Sequence, residues 1–295
     1  MQLPNPCTLC PRACRADRAH GQRGFCGADG TLRVARAALH HWEEPCLSGD
    51  PNAATGSGTV FFSNCALRCC YCQNYPISQG DVGKEITVER LTEIFLALQK
   101  SGAKNLNLVT ATQYLPWALP ALDAARAAGF ALPVVYNTGG YETLETVKAL
   151  AGYVDIWLAD VKYASPDLAA ELSAARDYPA VAEAALRQAL PVLHQAAQQA
   201  LYKAHSPQTA RLKLERLDFA PRDYGSFALP GGRYTALRVE LGEGKGHNWF
   251  CVLYPALCVS GAQAKYPSQA ENALVFGRYE VRFAVVDTVK NWIQQ

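Results

Sequence analysis

The sequence predicts an α/β protein: an incomplete parallel (βα) barrel of about four units, followed by a small α+β domain. Three observations carry this. Residues 57–188 alternate short β-branched or aromatic runs with helical patterns, which is the grammar of a parallel sheet. Beyond residue 190 that alternation stops. Nine of the eleven cysteines fall within the first 72 residues, which sets a chemistry-bearing opening apart from the rest. The expected divisions are a Cys-rich segment at 1–56, βα units at 57–188, and an α+β domain at 189–295.

In order, Gly58–Ser63 (GTVFFS) reads as a strand and Val88–Lys100 (VERLTEIFLALQK) as an amphipathic helix. Asn105–Thr110 is the next strand, followed by an Ala-rich helix over Leu115–Ala128. Pro133–Asn137 and Val154–Asp160 are further strands, with helical patterns at Glu142–Ala151 and Pro166–Gln188. A complete eight-unit barrel takes about 250 residues, or about 31 per unit, so this stretch holds about four. Then come a helical stretch, Leu190–His205, and alternating runs at Leu212–Phe219, Tyr234–Glu240, Trp249–Tyr254 and Arg278–Val285. Asp287–Gln295 reads as a closing helix. The boundary near 189 lies inside continuous Ala-rich helical sequence, unlike an ordinary domain linker.

The chain has 295 residues, 49% apolar and 18% charged, with a net charge of +2. This is a globular composition, and the charge balance gives no reason to expect nucleic acid as a partner. No apolar run approaches the roughly 18 residues of a membrane span. The N-terminal stretch has no apolar core of a signal peptide, so a cytoplasmic location is expected. In a reducing compartment, clustered thiols point to metal or cluster ligands rather than disulfides.

The sharpest motif is Cys65-Ala66-Leu67-Arg68-Cys69-Cys70-Tyr71-Cys72, directly after a predicted strand. Cys65, Cys69 and Cys72 form C-x3-C-x2-C, able to hold three corners of a [4Fe–4S] cube and leave one iron open. A structural zinc loop completed by a remote ligand is the alternative. Cys70 reads as a small packed side chain. Upstream, Cys7, Cys10, Cys14 and Cys26 suffice for a closed zinc site or a second iron–sulfur cluster, and spacing does not choose between them. Cys46 reads as a buried free thiol. His40 and His41 either face the cluster or serve loop packing.

The Cys65–Cys72 motif resembles the radical S-adenosylmethionine (SAM) superfamily, and within it the pyruvate formate-lyase activating-enzyme-like group. The resemblance runs over about residues 7–188 and includes Leu39–Gly49, Gly56–Thr59, Leu158-Ala159-Asp160-Val161-Lys162-Tyr163 and Ala174–Pro179. It implies a radical SAM-type partial barrel, a [4Fe–4S] cluster on Cys65, Cys69 and Cys72, and SAM bound to the open iron. It also implies Tyr71 against the adenine and Asp160 and Lys162 as polar SAM contacts. The activity implied is cleavage of SAM to a 5′-deoxyadenosyl radical that abstracts hydrogen. The partners implied are a protein substrate resembling a glycyl radical enzyme and an electron donor. Two features depart from the group: Gln113 stands near a position that usually carries His, and about four βα units are present where six are expected. Such a truncated sheet needs its edge covered.

The C-terminal segment, about residues 190–295, resembles stage II sporulation protein R through Tyr224–Val239 and Leu241–Cys258, whose core is Gly244-Lys245-Gly246-His247-Asn248-Trp249-Phe250-Cys251-Val252. That resemblance implies a secreted, non-catalytic signalling protein that activates a membrane-bound protease processing a sigma-factor precursor. Cys251 and Cys258 are a disulfide in an oxidising space or two reduced core thiols. The family's export segment is not expected in this chain, and Gly242–Gly246 reads as a hairpin turn rather than a phosphate cradle. The sequence thus combines an activase-like half with a signalling-like half, or is an inactive chimera of the two.

Overall fold

A computed structural model describes residues 1–41, 45–49, 55–203, 205–219, 222–223, 228–229 and 232–244. The Cys-rich opening is mostly turns, with one 3-10 turn at Arg18–His20. The first strand, β1 (Arg33–His40), is followed by the short helix α1 (Pro45–Ser48) and then by β2 (Ser57–Phe62). All six β2 residues are buried. Next come α2 (Tyr75–Ser78), β3 (Lys84–Glu85) and α3 (Val88–Lys100). The helix α3 starts where Thr87 accepts the Arg90 amide, and it buries Leu91, Ile94, Phe95 and Leu98, a 3–4 spacing that makes one apolar face.

The remaining units are β4 (Leu106–Val109), α4 (Leu115–Ala127), β5 (Val134–Thr138), α5 (Leu144–Leu150) and β6 (Ile156–Ala159). The strands β2, β4, β5 and β6 pair in parallel. This gives the mixed α/β architecture and parallel sheet expected of the βα region. The sheet has six strands in the order β3-β1-β2-β4-β5-β6. The side of β2 therefore has a cover that the sequence reading missed: β1 pairs with it antiparallel, and β3 pairs with β1. Among the described residues no ladder joins β6 to β3, and β6 forms the other edge, with its last residue exposed.

The predicted helix over 166–188 is two helices. The first, α6 (Pro166–Ser173), stops at Ala174, which takes left-handed backbone angles (φ 50°). The second, α7 (Tyr178–Lys203), runs 26 residues straight through the expected domain boundary. It packs Ala185, Ala189 and Leu193 against Val147 of α5 and Trp157 of β6. Its C-terminal half meets β7 (Ala210–Phe219), where His194 Nε2 lies 2.9 Å from Ala210 O and the Ala210 amide donates to Gln198. The short strands β8 (Arg222–Asp223) and β9 (Ala228–Leu229) pair with each other, and β10 (Gly232–Leu241) pairs antiparallel with β7. The expected elements at 249–254, 278–285 and 287–295, together with Cys46's side chain, Cys251 and Cys258, lie outside the described residues. Among those residues no helix is long and apolar enough to cross a membrane.

Candidate functional site

The β2 strand delivers the cysteine loop. It ends at Phe62, and Ser63, Asn64 and Cys65 follow at the C-terminal end of the parallel sheet, where ligand sites of βα proteins gather. Gln113 holds this corner shut. Its buried side-chain amide donates to Ser63 O (2.8 Å), Asn64 O (3.0 Å) and Thr110 O (2.8 Å). It thus ties the end of β2 to the end of β4, a structural use for the residue that departs from the family pattern. Tyr114 adds a hydroxyl bond to Asn64 Oδ1 at 2.8 Å.

Cys65, Cys69 and Cys72 share one apolar pocket with Leu67, Tyr141, Tyr163 and Tyr178. Burial pushes the Cys65 thiol up to about 11, against the amides of Arg68 and Leu67 that face its sulfur and pull the other way. Ser78 Oγ donates to Cys72 Sγ at 3.3 Å. A three-thiol set, with Cys69 buried and Cys65 and Cys72 half-buried, and with amide and hydroxyl donors beside it suits an iron–sulfur group. Among the described residues, no group of three or more His, Cys, Asp or Glu side chains is yet arranged to hold a metal ion. Cys70 is exposed, not packed as expected. Its amide bonds to Leu172 O, which turns its side chain out of the pocket's wall.

Asp160 and Lys162 leave the end of β6 as an ion pair, Nζ to Oδ2 2.5 Å. Burial lowers the Lys162 pKa, but the charge and hydrogen bond of Asp160 outweigh this and leave it above its ordinary value. The pair faces the cysteine loop: the Cβ that Gly139 lacks would lie 3.3 Å from Leu67 Cδ2 and 3.4 Å from Lys162 Cε. Gly140 has φ +74°, and a Cβ there would stand 2.5 Å from Asp160 O, so only glycine lets β5's exit pass under the pair. Buried Tyr178 fixes the turn, its hydroxyl accepting the Lys162 amide and lying 2.6 Å from Gly139 O and 2.9 Å from Asp160 O. Tyr71 is 46% exposed and meets Tyr163 edge to face at 6.3 Å. The structure thus brings Cys65, Cys69, Cys72, Tyr71, Asp160 and Lys162 to one end of the sheet.

It does not bring His40 and His41 there. His40 pairs with Ser57 at the start of β2, opposite the strand end that carries the cysteines. Six residues of strand span about 20 Å, so these histidines belong to packing at the far end.

Arg12 escaped the sequence reading. From between Cys10 and Cys14 it donates to Ala66 O (2.9 Å), Leu67 O (3.2 Å), Ser173 O (2.5 Å) and Ala174 O, with Phe25's ring 4.0 Å beneath it. One guanidinium therefore joins the N-terminal segment, the cysteine loop and the end of α6. Only its place in Pro11-Arg12 between two cysteines could have drawn attention to it.

A radical SAM superfamily model matches residues 59–192, and a stage II sporulation protein R model matches residues 161–264. The two overlap over 161–192, inside α6 and α7. The chain is 29% identical over 179 residues to "Uncharacterized protein MJ0674" of Methanocaldococcus jannaschii, covering 58% of this chain and 50% of that protein. It is 34% identical over 73 residues to "Stage II sporulation protein R" of Bacillus subtilis, covering 25% of this chain and 33% of that protein. The chain thus spans half the length of one curated relative and a third of the other. No solved structure matches it. Residues 59–192 are thus similar to the radical SAM superfamily, which implies an iron–sulfur cluster and SAM, and residues 161–264 are similar to stage II sporulation protein R.

Proposed function

We propose that this chain is a radical SAM iron–sulfur protein of the glycyl-radical-enzyme activase type. The observation that supports it most is the shared pocket: three thiols on the loop after β2, facing the Asp160–Lys162 pair that leaves β6. Cys65, Cys69 and Cys72 would hold a [4Fe–4S] cluster, and Tyr71, Asp160 and Lys162 would contact SAM. When bound, these groups supply one-electron chemistry that ends in hydrogen abstraction from a protein substrate, with an external electron donor.

The protein's own residues then bind and orient. Asp160 Oδ2 is committed to Lys162, and its other carboxylate oxygen is free to accept from a ligand's amino group. Lys162 offers its remaining ammonium hydrogens to a carboxylate or hydroxyl. Tyr178 keeps both at the strand end through the Lys162 amide. Tyr71 presents a flat aromatic face at the mouth, suited to a purine ring. Anaerobic reconstitution with iron and sulfide tests the reading. The wild-type protein should gain about four irons at this loop, lost in Cys65→Ser. Equal iron in the two would contradict it.

The sporulation protein R domain favours a second reading, in which residues 161–264 serve a non-catalytic signal that activates a membrane-bound protease. Protease activation by the full chain presented outside a membrane, unaffected by Cys65→Ser, would support this reading over the first.

A further inference from the structure

The parallel sheet ends on an unpaired strand beside the candidate site. The Asp160 amide at the end of β6 bonds to Thr138 O at 3.0 Å, and the register pairs Tyr136 with Trp157 and Thr138 with Ala159. In a parallel ladder this turns residues 156, 158 and 160 toward β5, and the N–H and C=O of Trp157 and Ala159 the other way. Among the described residues no strand pairs with that outer side, and Ala159 is exposed. A row of open backbone donors and acceptors is a template for another extended chain.

The surface next to this edge is apolar. Val161 is 64% exposed, and Leu168 of α6 is 51% exposed. The loop that carries exposed Tyr71 is joined to α6 by the Cys70 amide on Leu172 O, and to Tyr163 by the Tyr71 ring. The charges nearby are paired with one another, Asp160 with Lys162 and Asp167 with Arg176. Such a surface favours an uncharged, apolar segment.

The other approach to the site is taken. Arg12 holds Ala66 O and Leu67 O, Arg18 holds Gln113 O, and Leu9 O accepts the Thr146 hydroxyl of α5. The N-terminal segment therefore lies across the exits of β2 and β4 and onto α5, which leaves the β6 side open among the described residues. Size decides between occupants. β6 has four residues, about 13 Å of strand. Two copies of the chain joined through this strand alone would bury far less than the roughly 1,200 Å² of a stable interface, whereas a segment that docks transiently needs less.

We infer that the outer edge of β6 takes up an extended, uncharged segment of a partner polypeptide as an added strand, its apolar side chains lying over Val161 and Leu168. The added strand leads to Asp160 and Lys162, where β6 ends. Under the proposed function the partner is the protein substrate, an identity that rests on that reading; the docking surface does not.

The test is amide hydrogen exchange, read by NMR on the full chain, with a capped peptide of alternating Val and Thr about eight residues long. One edge of the peptide is N-methylated so that it cannot pair with itself, and a control is N-methylated on both edges. The first peptide should slow exchange at Trp157 and Ala159 by about tenfold or more, and the control should not. Binding should be lost in Ala159→Pro, which removes an outward N–H and none of the bonds to β5. It should weaken about tenfold in Leu168→Asp, a change at an exposed position of α6 that leaves the sheet intact. No slowing with the first peptide, equal slowing with the control, or unchanged binding in both variants would overturn the site. So would slow exchange at both amides in the free protein: if it persists on dilution the chain covers its own edge, and if it is lost on dilution a second copy does. Cys65→Ser should take up the peptide as wild type does, so failure of the cluster reading and failure of this surface show separately.

Discussion

Replacing Arg12 with Met tests whether one side chain joins the N-terminal segment to the cysteine loop. The substitution keeps an apolar stem and removes four donor contacts to Ala66, Leu67, Ser173 and Ala174 carbonyls, along with the charge over Phe25. A hydrogen bond from a charged donor contributes about 1.5–3 kcal/mol. The site is only half buried and water can reach part of it, so the four do not add. A net loss of about 3 kcal/mol is expected. At about 2–4 °C per kcal/mol for a domain of this size, the midpoint should fall by about 6–12 °C. Differential scanning calorimetry of the apo-protein measures this directly. Alkylation of Cys69 and Cys72 should also quicken, because the loop loses its outer anchor. A midpoint within about 1 °C of wild type, with unchanged thiol reactivity, would refute the reasoning.

Other substitutions separate structure from binding. Gln113→Leu leaves three carbonyl acceptors at the ends of β2 and β4, two of them buried, without this donor and should cost about 2–4 kcal/mol in urea unfolding; a loss under about 0.5 kcal/mol would mean that the corner is held otherwise. Asp160→Ala should weaken SAM binding while leaving iron content unchanged, and equal SAM affinity by calorimetric titration would remove Asp160 from the site. Burial, with Arg36 and His41 nearby, lowers the His40 pKa from 6.5 to about 4. Because the unfolded chain takes up this proton first, the fold should lose stability as pH falls from about 6.5 to about 4. His40→Gln should flatten that part of the pH profile, and an unchanged profile would contradict the assignment.

The parts of the fold written in local pattern were legible in the sequence. The helix α3 occupies the predicted Val88–Lys100 because its cap at Thr87 and its apolar face are both local signals. The strand β1 was missed because Arg33–His40 is Ala-rich, with little β-branched sequence to announce it; its pairing with β2 supplies the missing drive. The break between α6 and α7 was also invisible. Ala174 and Ala175 are good helix formers, and the carbonyls freed there are taken by Arg12, about 160 residues earlier. Within the candidate site, the three cysteines could be named from their spacing, and Asp160 and Lys162 from the family resemblance alone. Tyr178 and Arg12 could not, because each acts through partners that only the folded chain brings near.

The electron paramagnetic resonance spectrum of the anaerobically reconstituted, reduced protein, with and without SAM, tests the central claim most directly. A [4Fe–4S] signal that SAM perturbs in wild type, and that SAM leaves unchanged in Asp160→Ala, is the predicted result. No cluster signal, or one unaffected by SAM in wild type, would contradict it.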